Sequence, residues 1–303
     1  MSELSVSEIW RYPIKSVGGE RVSVATVTDL GVLGDRAWGI FDVDTGTVLT
    51  ARRTPALLFA SAALTGADVA LTLPDGTAVN SADDTCNEQL SAWLDRPVEL
   101  RAAGADGGTY EVPLDFENDE NWVSWQGPGG AWHDSKASRI SLVSRDTLRD
   151  WDQRRFRANV ILNGAGEDDL IGVHIDLGTT ELDVRKAIDR CVIVTHPQPG
   201  LERDLDVLRT INAEQESGAP KPIVFSTLVQ GEYREILKEA NGLHLDIFDV
   251  FLGPLSEELD EQPSYEPGRA HGMSDIDAYM KRIEATNFAL ANDEGGTSRD
   301  YDV

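Results

Sequence analysis

The sequence predicts a β-rich α+β fold, two β lobes carrying short helices. Three observations carry the prediction. Short runs that alternate apolar and polar residues, or that are dense in Val, Ile and Thr, recur along most of the chain. Turn signals such as Asp44-Thr45-Gly46 and Pro74-Asp75-Gly76 separate them. Helical spacing of apolar residues is confined to a few short stretches.

In chain order, residues 5–12 and 21–28 are expected strands. Residues 37–43 turn through Asp44-Thr45-Gly46 into 47–50, and 69–73 pair with 77–79 across the second turn. Leu90, Trp93 and Leu94 share one face and place a helix over 84–94, with a strand following at 98–101. Residues 106–130, rich in Gly, Asp, Asn and Pro, read as a long loop crossing between the lobes. A strand at 140–143 leads into a helix over 144–151 with Ser144 as its N-cap. Further strands are expected at 159–162, 180–185, 191–195, 223–229 and 244–252, and a helix at 205–215. After Gly253-Pro254 the chain becomes an acidic tail with one expected helix at 274–290.

The charge balance narrows the function classes. Of 303 residues, 53 are acidic and 27 basic, giving a formal net charge of -26; 21 of the basic residues are arginine and 6 are lysine. Such a surface repels phosphate backbones and anionic lipid, so neither nucleic acid nor a membrane surface is an expected partner. Excess acid with little lysine suits a halophilic, haloarchaeal source, where molar salt cuts the Debye length to about 3 Å. No apolar run reaches the roughly 18 residues of a membrane span. The start of the chain has no signal-peptide pattern, so a cytoplasmic location is expected, with Cys86 and Cys191 as free thiols. Two cysteines hold neither an iron–sulfur cluster nor a four-cysteine zinc site. The five histidines form no H-x-x-H or H-x-x-x-H pair, and there is no Walker A loop, nucleophile elbow or dinucleotide fingerprint.

Four constellations stand out in so acidic a chain. Tyr12-Pro13-Ile14-Lys15-Ser16, followed by Gly18 and Gly19, offers a point charge, a hydroxyl and a backbone that a ligand can approach; a solvated loop would read the same way. Gly34-Asp35-Arg36-Ala37-Trp38 places an arginine at a turn, either to clamp an anion or to pair with Asp35. Arg154-Arg155-Phe156-Arg157-Ala158-Asn159 sets Arg155, Arg157 and Asn159 on one side if extended, or decorates a helix C-terminus if not. Arg190-Cys191 begins an apolar run; the guanidinium favours a thiolate, although a free cysteine is more often a small buried hydrophobe.

In this order the four resemble the MOSC superfamily, the molybdenum-cofactor sulfurase C-terminal domain, preceded by its companion N-terminal β-barrel. The branch is that of the mitochondrial amidoxime-reducing component and its bacterial relatives. The resemblance rests on Tyr12-Pro13-Ile14-Lys15-Ser16, Asp35-Arg36-Ala37-Trp38, Thr50-Ala51-Arg52-Arg53-Thr54-Pro55-Ala56-Leu57 and the Cys86-bearing helix. It continues through Trp132-His133-Asp134-Ser135, the Arg155-Phe156-Arg157 element with Asn159-Val160, and Arg190-Cys191 to Thr195. It implies an N-terminal barrel over 1–110, a cofactor-binding MOSC barrel over 111–254 and the tail over 255–303.

The resemblance implies a molybdenum pyranopterin (molybdopterin) cofactor with Cys191 as metal ligand and catalytic residue. Lys15, Ser16 and Arg36 would hold its phosphate, and Asp134, Ser135, Arg157 and Asn159 would hold it from the other lobe. The family's description extends to pyridoxal phosphate binding. The implied activity is a molybdenum-dependent oxidoreductase that reduces N-hydroxylated compounds, with an external ferredoxin- or cytochrome-like electron donor. The alternative is a cofactor or sulfur carrier using a Cys191 persulfide. Two departures stand out. The turn after Cys191 reads Thr195-His196-Pro197-Gln198-Pro199-Gly200, and the closing strand reads Leu243-His244-Leu245-Asp246-Ile247-Phe248-Asp249-Val250.

Overall fold

The computed structural model describes residues 4–105, 107–113, 122–134, 139–188, 190–216, 224–229, 234–237 and 245–247. The expected helix at 274–290, the tail and Ser135 lie outside these residues.

Strand β1 (Ser5–Arg11) forms where expected, but the run at 21–28 breaks at Ser23 into β2 (Glu20–Val22) and β3 (Val24–Thr28), and β4 (Gly31–Val32) follows. Next come β5 (Trp38–Asp42), β6 (Ser61–Thr65), β7 (Asp68–Thr72) and β8 (Ala78–Asn80). Helix α1 (Cys86–Leu94) buries Leu90 and Cys86, and β9 (Val98–Ala102) pairs antiparallel with β5.

The expected loop at 106–130 instead holds a hairpin, β10 (Thr109–Pro113) with β11 (Trp122–Gln126). Its turn residues mark the hairpin's ends, while aromatic and β-branched residues supply the strands. Beyond it lie β12 (Ile140–Ser144), α2 (Arg145–Leu148), β13 (Val160–Asn163), β14 (His174–Leu177) and β15 (Thr180–Ile188). The described chain closes with α3 (Asp206–Glu216), β16 (Val224–Val229), β17 (Arg234–Leu237) and β18 (Leu245–Ile247).

An eight-stranded sheet in the order β18-β14-β15-β16-β12-β13-β1-β2 organises the molecule. Its one parallel pair among the described strands, β12 with β13, is joined by a crossover through α2. Both faces of this pair are covered, which is why β13 reads as a continuous apolar run. Ile140, Leu142, Val160 and Leu162 face one core with Val6, Ile9, Val27 and Val32. Val143 and Ile161 face the other, with Phe156, Val194 and the α3 residues Val207 and Ile211. A separate core gathers Ile14, Val17, Ile40, Leu57, Leu71, Leu90 and Val98. Strands β1 and β3 thus pack with the second half of the chain, and Tyr12 to Val17 run from one core into the other.

Two local expectations are corrected. Residues 154–159 are not extended. Gln153–Arg155 form a 3-10 turn capped by Asp152, and Arg157 takes a left-handed φ of 55°. The strand expected at 191–195 is also a 3-10 turn, Val192–Thr195. The Thr195 hydroxyl donates to Val192 O at 2.7 Å, and Arg155 Nη1 donates to Val194 O and His196 O, so these carbonyls find partners without a sheet.

Candidate anion cradle

The site grows from the turn after β1. Tyr12 N–H donates to Asp35 Oδ1 at 2.7 Å, Arg36 N–H to Tyr12 O at 2.7 Å, and Trp38 N–H to Pro13 O at 2.9 Å. These bonds lay the Tyr12-to-Ser16 segment along Asp35-to-Trp38, so Lys15 and Arg36 emerge side by side. Gly19 makes the turn possible: a Cβ there would lie 2.4 Å from Arg11 O and 2.5 Å from the Tyr12 ring. The glycines therefore serve backbone packing against the chain itself, not the approach of a ligand.

Lys15 is buried, its side chain 7% exposed. Its ammonium donates to Trp132 O at 3.1 Å and to Asp134 Oδ1 at 2.7 Å, and lies 4.2 Å from the Tyr110 ring centroid. Arg36 pairs with Asp35, whose side chain is fully buried, and donates from Nη2 to Arg157 O at 3.3 Å. Arg157 Nη1 donates to Val17 O at 2.7 Å, and its guanidinium stands 4.4 Å from the Tyr12 ring centroid, with that of Arg36 at 5.4 Å. Ser16, Arg36 and Arg157 all hold left-handed backbone, with φ of 66°, 51° and 55°. Each such non-glycine residue costs about 1–2 kcal/mol, a cost that concentrates at ligand-holding sites.

Electrostatics follow from this crowding. Burial pushes the Lys15 ammonium down, against the pull of Asp134, with Arg36 and Arg52 adding to the drop. Burial also opposes the Arg36 charge, but Asp35 and Asp134 outweigh it and raise it overall. Arg157, buried and beside Arg36, falls to about 10. The close packing of neighbouring atoms works to raise the Asp134 carboxyl even though its side chain is 75% exposed to solvent, yet Lys15 and Arg52 hold it well below the usual carboxylate range. Tyr12 is pushed far up by burial, against Arg157 and Arg36, so its phenol stays a donor. Its hydroxyl, and Arg157 Nη2, are buried without a hydrogen-bond partner among the described residues. Each of these donors is worth about 1–3 kcal/mol to an acceptor that reaches it. The donor set therefore fits a phosphate.

The structure sorts the expected site residues. Lys15, Ser16, Arg36, Arg157 and Asp134 gather at the cradle. Asn159 does not turn its amide toward it: Oδ1 accepts from Ser141 N and Oγ, and Nδ2 donates to Trp10 O at 3.3 Å. It ties β12 to β1 at the entry to β13 instead. Arg155 points away, onto the carbonyls of Val194, His196 and Glu202. Cys191 is partly exposed at the start of its 3-10 turn, and Arg190 Nη1 donates to Phe156 O at 3.2 Å, next to Arg157. Both cysteines are free thiols. Sequence reasoning named Tyr12 and Trp132 within motifs but gave them no role at the site, and it passed over Tyr110; aromatic residues in a strand or glycine-rich stretch carry no signal separating a lining from a core.

Comparison with known proteins divides the chain. Residues 3–106 match the MOSC N-terminal beta barrel domain. Residues 194–303 match the Kinase/pyrophosphorylase family. A protein of Marinobacter nauticus named "Putative phosphoenolpyruvate synthase regulatory protein" is 43% identical over 101 residues, 33% of this chain and 37% of its own length. One of the same name from Stutzerimonas stutzeri is 46% identical over 101 residues, with the same shares. The chain thus spans little more than a third of these curated relatives. The crystal structure of the YuaD protein from Bacillus subtilis aligns over 81% of this chain and 95% of its own, at 11% identity and a TM-score of 0.36.

These matches correct the expected activity. A molybdenum-dependent reductase, with its oxidoreductase and molybdopterin-enzyme character, conflicts with a C-terminal segment whose relatives carry a regulatory kinase/pyrophosphorylase name. Nothing in them supports the sulfur carrier, a second MOSC domain or the haloarchaeal source. The electron donor and N-oxygenated substrate were implied only by the reductase. Among the described residues no helix is long and apolar enough to cross a membrane.

Proposed function

We propose that the chain is a ligand-dependent regulatory protein. The cradle binds a small phosphate-bearing ligand, and the segment over 194–303 acts on an enzyme of the phosphoenolpyruvate synthase kind. The observation that carries the first half is the pair of buried donors, Tyr12 Oη and Arg157 Nη2, beside Lys15 and Arg36. Lys15 and Arg36 already pair with Asp134 and Asp35, so what favours an added anion is Arg157, which pairs with no carboxylate among the described residues, beside the unpartnered Tyr12 hydroxyl. The residues that would touch the ligand are Lys15, Ser16, Arg36, Arg157 and Tyr12. The second half is supported by the relatives of the C-terminal segment.

Phosphoenolpyruvate synthase activity measured with and without the full chain, and with added inorganic pyrophosphate, tests the regulatory half. The reading expects a change that needs the chain and responds to pyrophosphate; constant activity at every ratio contradicts it. Metal analysis of the same preparation tests the narrower expectation from the sequence, a pterin ligand with molybdenum on Cys191.

A further inference from the structure

Asp134 is the carboxylate that pairs with Lys15. Its Oδ1 lies 2.7 Å from Lys15 Nζ and 3.2 Å from the Tyr110 hydroxyl. An ammonium has three donor directions. Here Trp132 O takes one, Asp134 takes another, and the Tyr110 ring covers a third side. Lys15 is nearly closed to solvent, whereas the Asp134 side chain is 75% exposed. Of the three groups around the ammonium among the described residues, Trp132 and Tyr110 are buried and Asp134 is the exposed one. By contrast, Tyr12 Oη and Arg157 Nη2 are buried and have no hydrogen-bond partner among the described residues.

Resting on the anion-binding reading of the cradle, we infer that Asp134 is an internal competitor: a carboxylate that holds Lys15 in the absence of ligand and is displaced when a dianion binds. This reverses the role that the sequence resemblance implied for it. A carboxylate can only accept, so it offers no hydrogen bond to a fully ionised phosphate and repels it. Its exposure lets it swing into water when displaced, where solvation compensates the lost ion pair. The competition also sets selectivity. A monoanion that replaces one carboxylate with one negative charge gains little, whereas a dianion brings the extra charge that Arg36 and Arg157 accept. The site would thus prefer phosphate monoesters or pyrophosphate over carboxylates.

The test is calorimetric titration of the full chain, wild type and Asp134→Asn, with inorganic pyrophosphate and separately with acetate. The asparagine keeps the shape and an acceptor for Lys15 but removes the charge. The expected result is pyrophosphate binding tightened roughly threefold to tenfold in the variant, the scale of one partly screened ion pair. Acetate binding should become detectable there as well, because the competing carboxylate is gone. Asp134→Ser serves as a second variant and should move affinity the same way. Pyrophosphate affinity that is unchanged or weaker in both variants, with wild type binding well, overturns the competitor role and leaves the cradle standing. No pyrophosphate binding by any of the three proteins overturns the cradle and this inference together.

Discussion

Asp35 holds two groups at once: its Oδ1 accepts the Tyr12 amide and its Oδ2 pairs with Arg36, from a side chain with no solvent exposure. Removing its charge leaves a buried amide without an acceptor and a mostly buried guanidinium without a counter-ion. Asp35→Ala should therefore cost about 3 kcal/mol in denaturant unfolding; a loss below about 1 kcal/mol would contradict this account of how the turn is held. His133 gives a pH signature. Burial, then Arg36, lowers its pKa from 6.5 to about 3, and its Nε2 faces Leu30 O at 3.1 Å, so it is held neutral with the proton on Nε2. A base depressed on folding is protonated more readily when unfolded. Its contribution is complete above pH 6.5 and is lost as pH falls toward 3. Thermal unfolding between pH 7 and pH 5 should show a falling midpoint, with a shallower fall in His133→Gln; identical slopes would count against it. Lys15, Arg36 and Arg157 were legible because cations are scarce in this sequence. The roles of Tyr12 and Tyr110 were not, because what marks them is a missing or shared partner, a property of three-dimensional packing.

At the scale of elements, the turn that follows β1 depends on Gly19, whose missing Cβ admits Arg11 O and the Tyr12 ring. Gly19→Ala must move the ring that lies under Arg157, so it should lower stability by about 1–3 kcal/mol and weaken anion binding together. Stability measured by denaturant and affinity measured by titration, changing independently, would break that link. At the other end of β12, Ser144 Oγ accepts from Thr147 N at 3.1 Å while its own amide donates to Glu167 Oε1 at 2.9 Å. Ser144→Ala should cost about 1 kcal/mol through loss of the cap alone. Strands β1, β7, β9, β12 and β13 were legible because alternation, turn residues and apolar runs agree. The hairpin β10–β11 was hidden by the glycines and prolines around it. The turn at Val192–Thr195 was hidden because a β-branched run resembles a strand until Arg155 and Thr195 are seen to take its carbonyls.

At the scale of the molecule, the net charge of -26 makes the folded state repel itself, and added salt screens that repulsion. The thermal midpoint should rise between about 0.05 and 1 M NaCl; a midpoint that falls would show that attractive ion pairs, not repulsion, dominate. The N-terminal half of the family resemblance was legible in motifs such as Asp35-Arg36-Ala37-Trp38 and is matched over 3–106. The resemblance did not anticipate the match over 194–303. Both departures from the expected pattern, at 195–200 and 243–250, fall inside the segment that matches a different family over 194–303. The central proposal is an anion held between Lys15, Arg36 and Arg157. Titration of the full chain with inorganic pyrophosphate at low ionic strength tests this most directly. One saturable site is expected, with affinity that falls about tenfold or more in each of Lys15→Met and Arg157→Met. Absence of binding, or binding that neither substitution weakens, would contradict it.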